Sequence, residues 1–465
     1  MIHGGKTAGK DEAGVGIPDT PFYNWRRGLL CCASRQTILK GHAMRTALLF
    51  CAFALALTIS SAQEKAVTPP LPSAILLDDS LVHVLCARLD ADYDGNIDGG
   101  EVPASWNVYS PSTFALLKST TFDWKDVKVT RCGATLEKDM LDIVVGEDVM
   151  RFQTTTQASL GKLYEGKIYG LDASQDGKTL WMSERPSFTE QGSVIEYNTE
   201  TKEKLIIPVG VNPQQISYHR TIDGLEQALV ICEELFGKGN GTFRIIDLKT
   251  TPRTQKIIEV GDTPNYFVVD GDTAYVVVNG SHTIVIVDLV KHEKIATINV
   301  GTTGYDGPRE AAVWFDPTTK TKMLLVSTFA EDIRVFNITT RQIYKKIDLS
   351  AKPEGMALNG NYLWVTQTFK KDTYEPSQDV AIYDLLSAVS VRNSEEPLRP
   401  KALLATSGVV HVAFDAGTSL SITDIAGRMT PYSAVVSGSQ TVDCSALPRG
   451  TYLLTNGTES VTLMR

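Results

Sequence analysis

From about residue 160 to residue 390 the chain repeats itself, and this repeat limits the fold more than any other feature. An alternating apolar run ending in Asp or Asn recurs five times: Val194–Asn198, Phe243–Asp247, Ile284–Asp288, Ile333–Asn337 and Val380–Asp384. The end residues lie 49, 41, 49 and 47 positions apart. The first four runs are each followed by a turn sequence: Val209-Gly210-Val211-Asn212-Pro213, Val260-Gly261-Asp262-Thr263-Pro264, Val300-Gly301 reaching Pro308, and Leu349 to Pro353. A short apolar strand comes next, then another such as Ala274–Val278. Four short strands per unit at this period predict an all-β fold, a β-propeller. One such unit cannot bury both of its faces, so neighbours must stack around an axis. Five blades are clear, and runs between residues 112 and 160 (Met140–Val145, Val149–Gln153) bring the expected count to six or seven.

In a propeller, the turn into each innermost strand and the loop between the second and third strands open on one face. Here that face receives the long loops Ser183–Gly192, Glu233–Gly241, Gly301–Pro308 and Gln367–Asp379, which carry Arg185 and Phe369. The residues after the turn prolines are Gln214, Asn265, Tyr266, Arg309, Glu310 and Glu354, expected to ring the channel mouth. Aromatic anchors with convergent polar groups suit a ligand site. Catalytic patterns are absent: no Gly-x-Ser-x-Gly elbow, no His-Glu-x-x-His and no phosphate-binding loop. No residue is assigned a catalytic role. The adjacent Glu233 and Glu234 point to opposite faces if they lie in a strand.

The repeat is flanked by segments of another kind. Residues 44–62 combine Arg45, an apolar stretch from Ala47 to Leu57 and the small residues Ser60-Ser61-Ala62. That is the pattern of a cleavable export signal, too short for a membrane span of roughly 20 residues. Residues 1–43 lack periodicity and read as an upstream extension, with Met44 as the expected start. Removing residues 1–62 leaves 38 basic against 51 acidic residues, which argues against nucleic-acid binding by bulk charge. An exported chain is free to form disulfides, and Cys86 with Cys132 is the most plausible pair.

Residues 63–111 read as a leader and a small module. Leu81, Leu85 and Leu89 recur every four residues, predicting a helix that leads into Asp90-Ala91-Asp92-Tyr93-Asp94-Gly95-Asn96-Ile97-Asp98-Gly99-Gly100-Glu101. This matches the twelve-residue EF-hand loop. Asp90, Asp92, Asp94, Asp98 and Glu101 offer carboxylates, Asn96 a backbone carbonyl, and Gly95 the sharp turn. All-oxygen ligands suit calcium as the cofactor. One loop rather than a pair, and Pro103 just after it, favour a structural clip over a sensor.

The repeat turns and the strands that end in Asp resemble the YVTN-type, YncE-like propellers over roughly residues 140–390. Resemblance extends to the C-terminus. A polar linker at 391–402 precedes 403–465, which is similar to the type A C-terminal sorting domain of the Bacteroidetes type IX secretion system. The matching residues are Leu420 to Arg428 around Asp424-Ile425-Ala426-Gly427-Arg428, then Leu447-Pro448-Arg449-Gly450-Thr451-Tyr452, and the end Val461 to Arg465. That likeness implies type IX machinery as a partner, removal of the domain, and release or anchoring to surface lipopolysaccharide. It places the protein at the cell surface or outside the cell. Residues 112–390 are then a propeller that captures an extracellular ligand: a nutrient such as a corrinoid, a glycan or a protein. The alternatives are a surface lyase or hydrolase and a structural or adhesive protein.

Overall fold

The computed structural model describes residues 64–78, 80–90, 97–122 and 132–389, together with strand backbones between 402 and 464. Seven four-stranded antiparallel sheets follow one another along the chain. They are the blades of a propeller, at residues 72–121, 134–164, 168–211, 213–261, 264–299, 308–348 and 351–384. In the first six, strand order in the sheet equals chain order. The seventh contributes three strands and takes its outer strand from the start of the fold. There Glu64–Val67 pairs with the third strand, Glu64 opposite Ile382 and Val67 opposite Asp379. Thr68 N and Leu71 N extend the seam by donating to Gln378 O and Ser377 O at 2.8 and 3.0 Å.

Each blade is apolar on both faces, and alternation sends successive residues of a central strand to opposite neighbours. Ala228, Val230 and Cys232 pack towards the third blade, Leu229 and Ile231 towards the fifth. Seven separate apolar clusters result, one in each gap between blades. The recurrent Asp or Asn that ends the third strand caps the turn beyond it. Asn198 Oδ1 accepts from the backbone N–H of Glu200 and Thr201 at 2.9 and 2.8 Å, and Asp288 Oδ1 from Val290 and Lys291 at 3.0 and 2.8 Å. The repeat signature is therefore a side-chain-closed turn.

Three expectations are corrected. The helix expected before the calcium loop is a strand, Val82–Cys86. It is buried on both faces, with Val82, Val84 and Cys86 against the seventh blade and Leu85 against the second. A strand buried on both faces reads as continuous apolar sequence, so the four-residue spacing of the leucines carries no helical meaning. Residues 63–111 are not a separate module, since 64–67 close the seventh blade and 72–121 form the first. Cys86 and Cys132 are both free thiols, Cys86 buried at the end of that strand, so the expected pair is not joined.

A short helix, Leu385–Val389, ends the propeller. Beyond it a five-stranded sheet and a two-stranded ladder are formed by residues 402–464. Thr418–Asp424 and Met429–Val436 make the antiparallel pair expected around Asp424. The signal segment, the linker and the Leu447–Gly450 turn lie outside the described residues. No helix among the described residues is long and apolar enough to cross a membrane.

Closure by a four-residue strand makes a direct prediction. Deleting residues 64–67 removes backbone pairing worth about 2–4 kcal/mol at ~1 kcal/mol per bond. The melting temperature then falls by roughly 5–10 °C. A peptide spanning residues 62–71, added in trans, restores it. An unchanged melt would show that the ring does not depend on this seam.

Candidate functional site

Six of the seven innermost strands carry a register shift near their start, next to the first residue in five of them and around Pro353 in the seventh blade. In the fifth blade Pro264 pairs with Val278 and Tyr266 with Val277, leaving Asn265 as the extra residue. Single residues are left over in the same way at Ser73, Tyr169 and Arg309, while Gln214 and Gln215 together oppose Ile231, and Glu354 and Gly355 together oppose Thr366. A bulge at a rim re-aims one side chain. In a propeller the starts of the inner strands border the mouth of the central channel, and here the shifts fall on or beside polar groups. Next-door residues face the gaps between blades instead. Gln215 clamps the adjacent inner strand through Phe267 N and Phe267 O at 2.8 and 3.1 Å.

One side of the mouth is a fixed hydrogen-bond lattice. Asn212 precedes the turn proline with a φ of 53°, a conformation asparagine tolerates. Its Nδ2 donates to Glu233 Oε2 at 2.6 Å, while Gln214 Nε2 donates to Asn212 Oδ1 at 2.9 Å and to Glu233 Oε2 at 3.2 Å. Arg185, from the loop after the second strand of the third blade, donates from Nη1 to Asn212 Oδ1 at 3.3 Å. Its guanidinium lies 3.9 Å from the Tyr169 ring centroid and 4.6 Å from that of Phe188. Gly170 lets the strand come this close, because a Cβ there would meet Gln214 O at 2.5 Å.

Burial raises the Glu233 carboxyl to about 7, with Asp262 adding to the rise and Arg185 and the Asn212 amide opposing it. The Tyr169 hydroxyl is also raised, first by burial and then by the nearby charges of Cys132, Glu233 and Glu354. Glu354 belongs to the seventh blade and Glu233 to the fourth, so groups from distant blades share one space. Glu234, one residue on in the loop that follows the strand, has a φ of 59° and pairs instead with Arg244 at 3.0 Å, so the two glutamates diverge through the loop's turn and not through strand alternation.

The opposite side holds Arg309, whose Nη2 is 3.5 Å from Glu354 Oε2 and whose guanidinium is 4.0 Å from the Phe329 centroid. Asn265 Nδ2 donates to Arg309 O at 3.4 Å. Beneath lies Lys352, buried against Glu331 and Tyr305, with its ammonium 5.0 and 5.2 Å from the Tyr305 and Tyr374 rings.

Arg185 and Gln214 thus share the Asn212 amide oxygen, and Asn265 and Glu354 both reach Arg309, while three other expected residues join neither group. Glu310 is 2% exposed and accepts from Met356 N at 2.5 Å, tying the sixth blade to the seventh. Tyr266 packs into the apolar gap between the fifth and sixth blades. Phe369 is buried edge-on against Tyr374, 6.1 Å between centroids. Alternation explains the first two, since they directly follow bulge residues. Tyr169, Asn212 and Phe329 were not anticipated as ligand groups. Tyr169 follows Ile168 rather than a turn proline, so the repeat signature gave it no mark.

The calcium-loop sequence connects the second and third strands of the first blade, on this same face. Leu89 and Val102 close its base through mutual backbone hydrogen bonds of 2.9 and 3.1 Å. Arg88 Nη2 lies 2.7 Å from Asp90 Oδ2, and Asp98 N donates to Glu101 Oε2 at 3.3 Å. Asp92, Asp94 and Asn96 lie outside the described residues.

No family model and no curated protein matches the chain. Solved structures do. Hydrazine synthase of Kuenenia stuttgartiensis aligns with a TM-score of 0.51 at 12% identity, covering 71% of this chain and 99% of that one. BBS1N, solved in complex with ARL6DN, aligns at 0.47 and 14% identity, covering 71% and 96%. At such identity the hydrazine synthase likeness shows the propeller fold and nothing of chemistry.

A carboxyl raised from 4.5 to about 7 links stability to pH. Its stabilising protonated form is complete below the unfolded value and is lost as pH rises through the folded one. Stability therefore falls between about pH 5 and pH 8, by on the order of 2 kcal/mol from this group. Glu233→Gln flattens that part of the profile and is the more stable protein at the alkaline end. Parallel unfolding curves for the two proteins would remove Glu233 from the account.

Proposed function

We propose that this chain is an exported binding protein that captures an extracellular ligand over the mouth of a seven-bladed propeller. One observation supports this reading above the rest: register shifts at the start of the inner strands fall on or beside Tyr169, Gln214, Asn265, Arg309 and Glu354, with Arg185 and Arg309 held against aromatic rings. Polar groups fixed in advance lower the entropic cost of binding. Glu233 adds to it, because ionising this group destabilises the fold, and perturbed carboxyls cluster at functional sites. The export signal and the resemblance to a sorting domain support delivery to the cell surface or beyond. A corrinoid, a glycan and a protein remain the ligand classes to screen. An enzymatic alternative has one specific support: burial raises the Glu233 carboxyl to about 7 beside Arg185, the range that suits a general acid.

In this reading calcium is held by Asp90, Asp92, Asp94, Asp98, Glu101 and the Asn96 carbonyl, and it stiffens the longest loop on the binding face. The residues described fit such a role in part. The base of the loop is closed by Leu89 and Val102, and Glu101 already turns back to the Asp98 backbone. Arg88 occupies Asp90, so the metal must compete with a guanidinium for its first ligand. That competition fits the weak affinity of extracellular sites, about 0.1–1 mM.

Two measurements test these proposals. At calcium tenfold or more above its dissociation constant, the folded state gains about 1.5–3 kcal/mol, a rise of several degrees in melting temperature. Glu101→Ala abolishes the rise, and no shift in the parent protein would reject the metal site. A thermal-shift panel of corrinoids, oligosaccharides and matrix proteins should give a hit that Arg309→Ala weakens at least about tenfold. A hit unaffected by Arg309→Ala and Gln214→Ala would place binding elsewhere. Substrate turnover lost in Glu233→Gln, with binding retained, would favour the enzyme.

A further inference from the structure

The two sides of the mouth differ in how their cations are balanced. Arg309 faces Glu354, Arg244 faces Glu234, Arg334 faces Asp332 and Arg88 faces Asp90. Arg185 forms no ion pair with any carboxylate among the described residues. Glu233 is close enough to feel its charge but directs Oε2 to the amides of Asn212 and Gln214. Of the five N–H donors on the Arg185 guanidinium, one makes a long contact of 3.3 Å to Asn212 Oδ1. The group is stacked against Tyr169 and Phe188, which orient it. Its support is built in, with Asn212 and Gln214 only 3% and 6% exposed. The Tyr169 hydroxyl has no hydrogen-bond partner among the described residues. An unpaired, fixed, forked cation beside an unused hydroxyl is a site for a planar oxyanion.

Resting on the reading of the mouth as a ligand site, we propose that Arg185 and the Tyr169 hydroxyl bind the carboxylate of an organic-acid ligand. A monoanion fits better than a phosphate. Tyr169 senses the charge of Glu354, and of Glu233 once it ionises, while Arg185 is one cation, so a second negative charge on the ligand would find no partner there. A flat carboxylate also matches the guanidinium fork in two parallel hydrogen bonds.

Glu233 then sets the pH response. The charged and titratable groups around it are Arg185, Asp262 and Tyr169, and the last is also influenced by Cys132 and Glu354. While Glu233 is protonated, the Arg185 charge is unopposed and open to a ligand. Once Glu233 ionises it competes for that charge, so affinity for the acid falls as pH rises through about 7.

The test uses matched acid and amide pairs: acetate with acetamide, benzoate with benzamide, and glucuronate with glucuronamide. Binding to the mature protein is read by saturation-transfer NMR at constant ionic strength. At least one acid is expected to bind about tenfold or more tightly than its amide near pH 6, and to lose most of that advantage near pH 8. Arg185→Lys keeps the charge but removes the fork and abolishes the preference; Tyr169→Phe weakens it severalfold. Glu233→Gln retains acid binding and removes its pH dependence. Acids that bind no better than their amides, or not at all, overturn the proposal, as does an unaffected Arg185→Lys. Acid and amide binding equally, with both lost in Gln214→Ala, would sink the carboxylate and leave the mouth as a ligand site.

Discussion

A four-stranded sheet with two apolar faces has no side to turn to solvent, and every blade here is of that kind. Stacking solves the problem only if the stack returns on itself. The seven clusters between blades are therefore one structural requirement met seven times, and the seam at Glu64–Val67 is where it is completed. Closure joins the start of the fold to its end, across more than 300 residues of chain. Propeller folding is consequently a long-range event, slow to gain its last contacts.

The ring geometry gives the mouth its chemistry. Inner strands converge at one end, and a regular strand there would offer backbone edges to the channel. The bulges break that regularity in six blades and present side chains instead. The same positions show how tightly function and structure are interleaved. Arg309 belongs to the mouth, while Glu310, its neighbour, ties two blades together by accepting from Met356 N. Gln214 and Gln215 divide the same two tasks. A one-residue slip in register would exchange them and lose both.

Glu233 is a buried carboxyl held well above its ordinary range. Its carboxyl lies among amides and beside a cation that does not pair with it, so burial outweighs both. A fold selected for stability alone would place glutamine there. Arg185 is similarly underused as a structural group, stacked and oriented but unpaired. Local disagreement with stability rules of this kind marks sites where another demand is being met.

The sequence by itself determined the architecture. Residues that end strands, such as Asn198, Asp247 and Asp288, recur because each closes a turn with its own side chain, a local interaction legible in local sequence. It also marked Gln214, Asn265, Arg309 and Glu354, since a turn proline sits just before each. Only the tertiary structure decided the rest. Val82–Cys86 carries a spacing that suits a helix, yet it is a strand because two blades cover its two faces. Tyr169 has no proline before it and gains its meaning from Arg185, Glu233 and Glu354, which reach it from other strands and other blades. Closure by residues 64–67 is invisible in a four-residue segment, because pairing partners more than 300 positions apart leave no local signal.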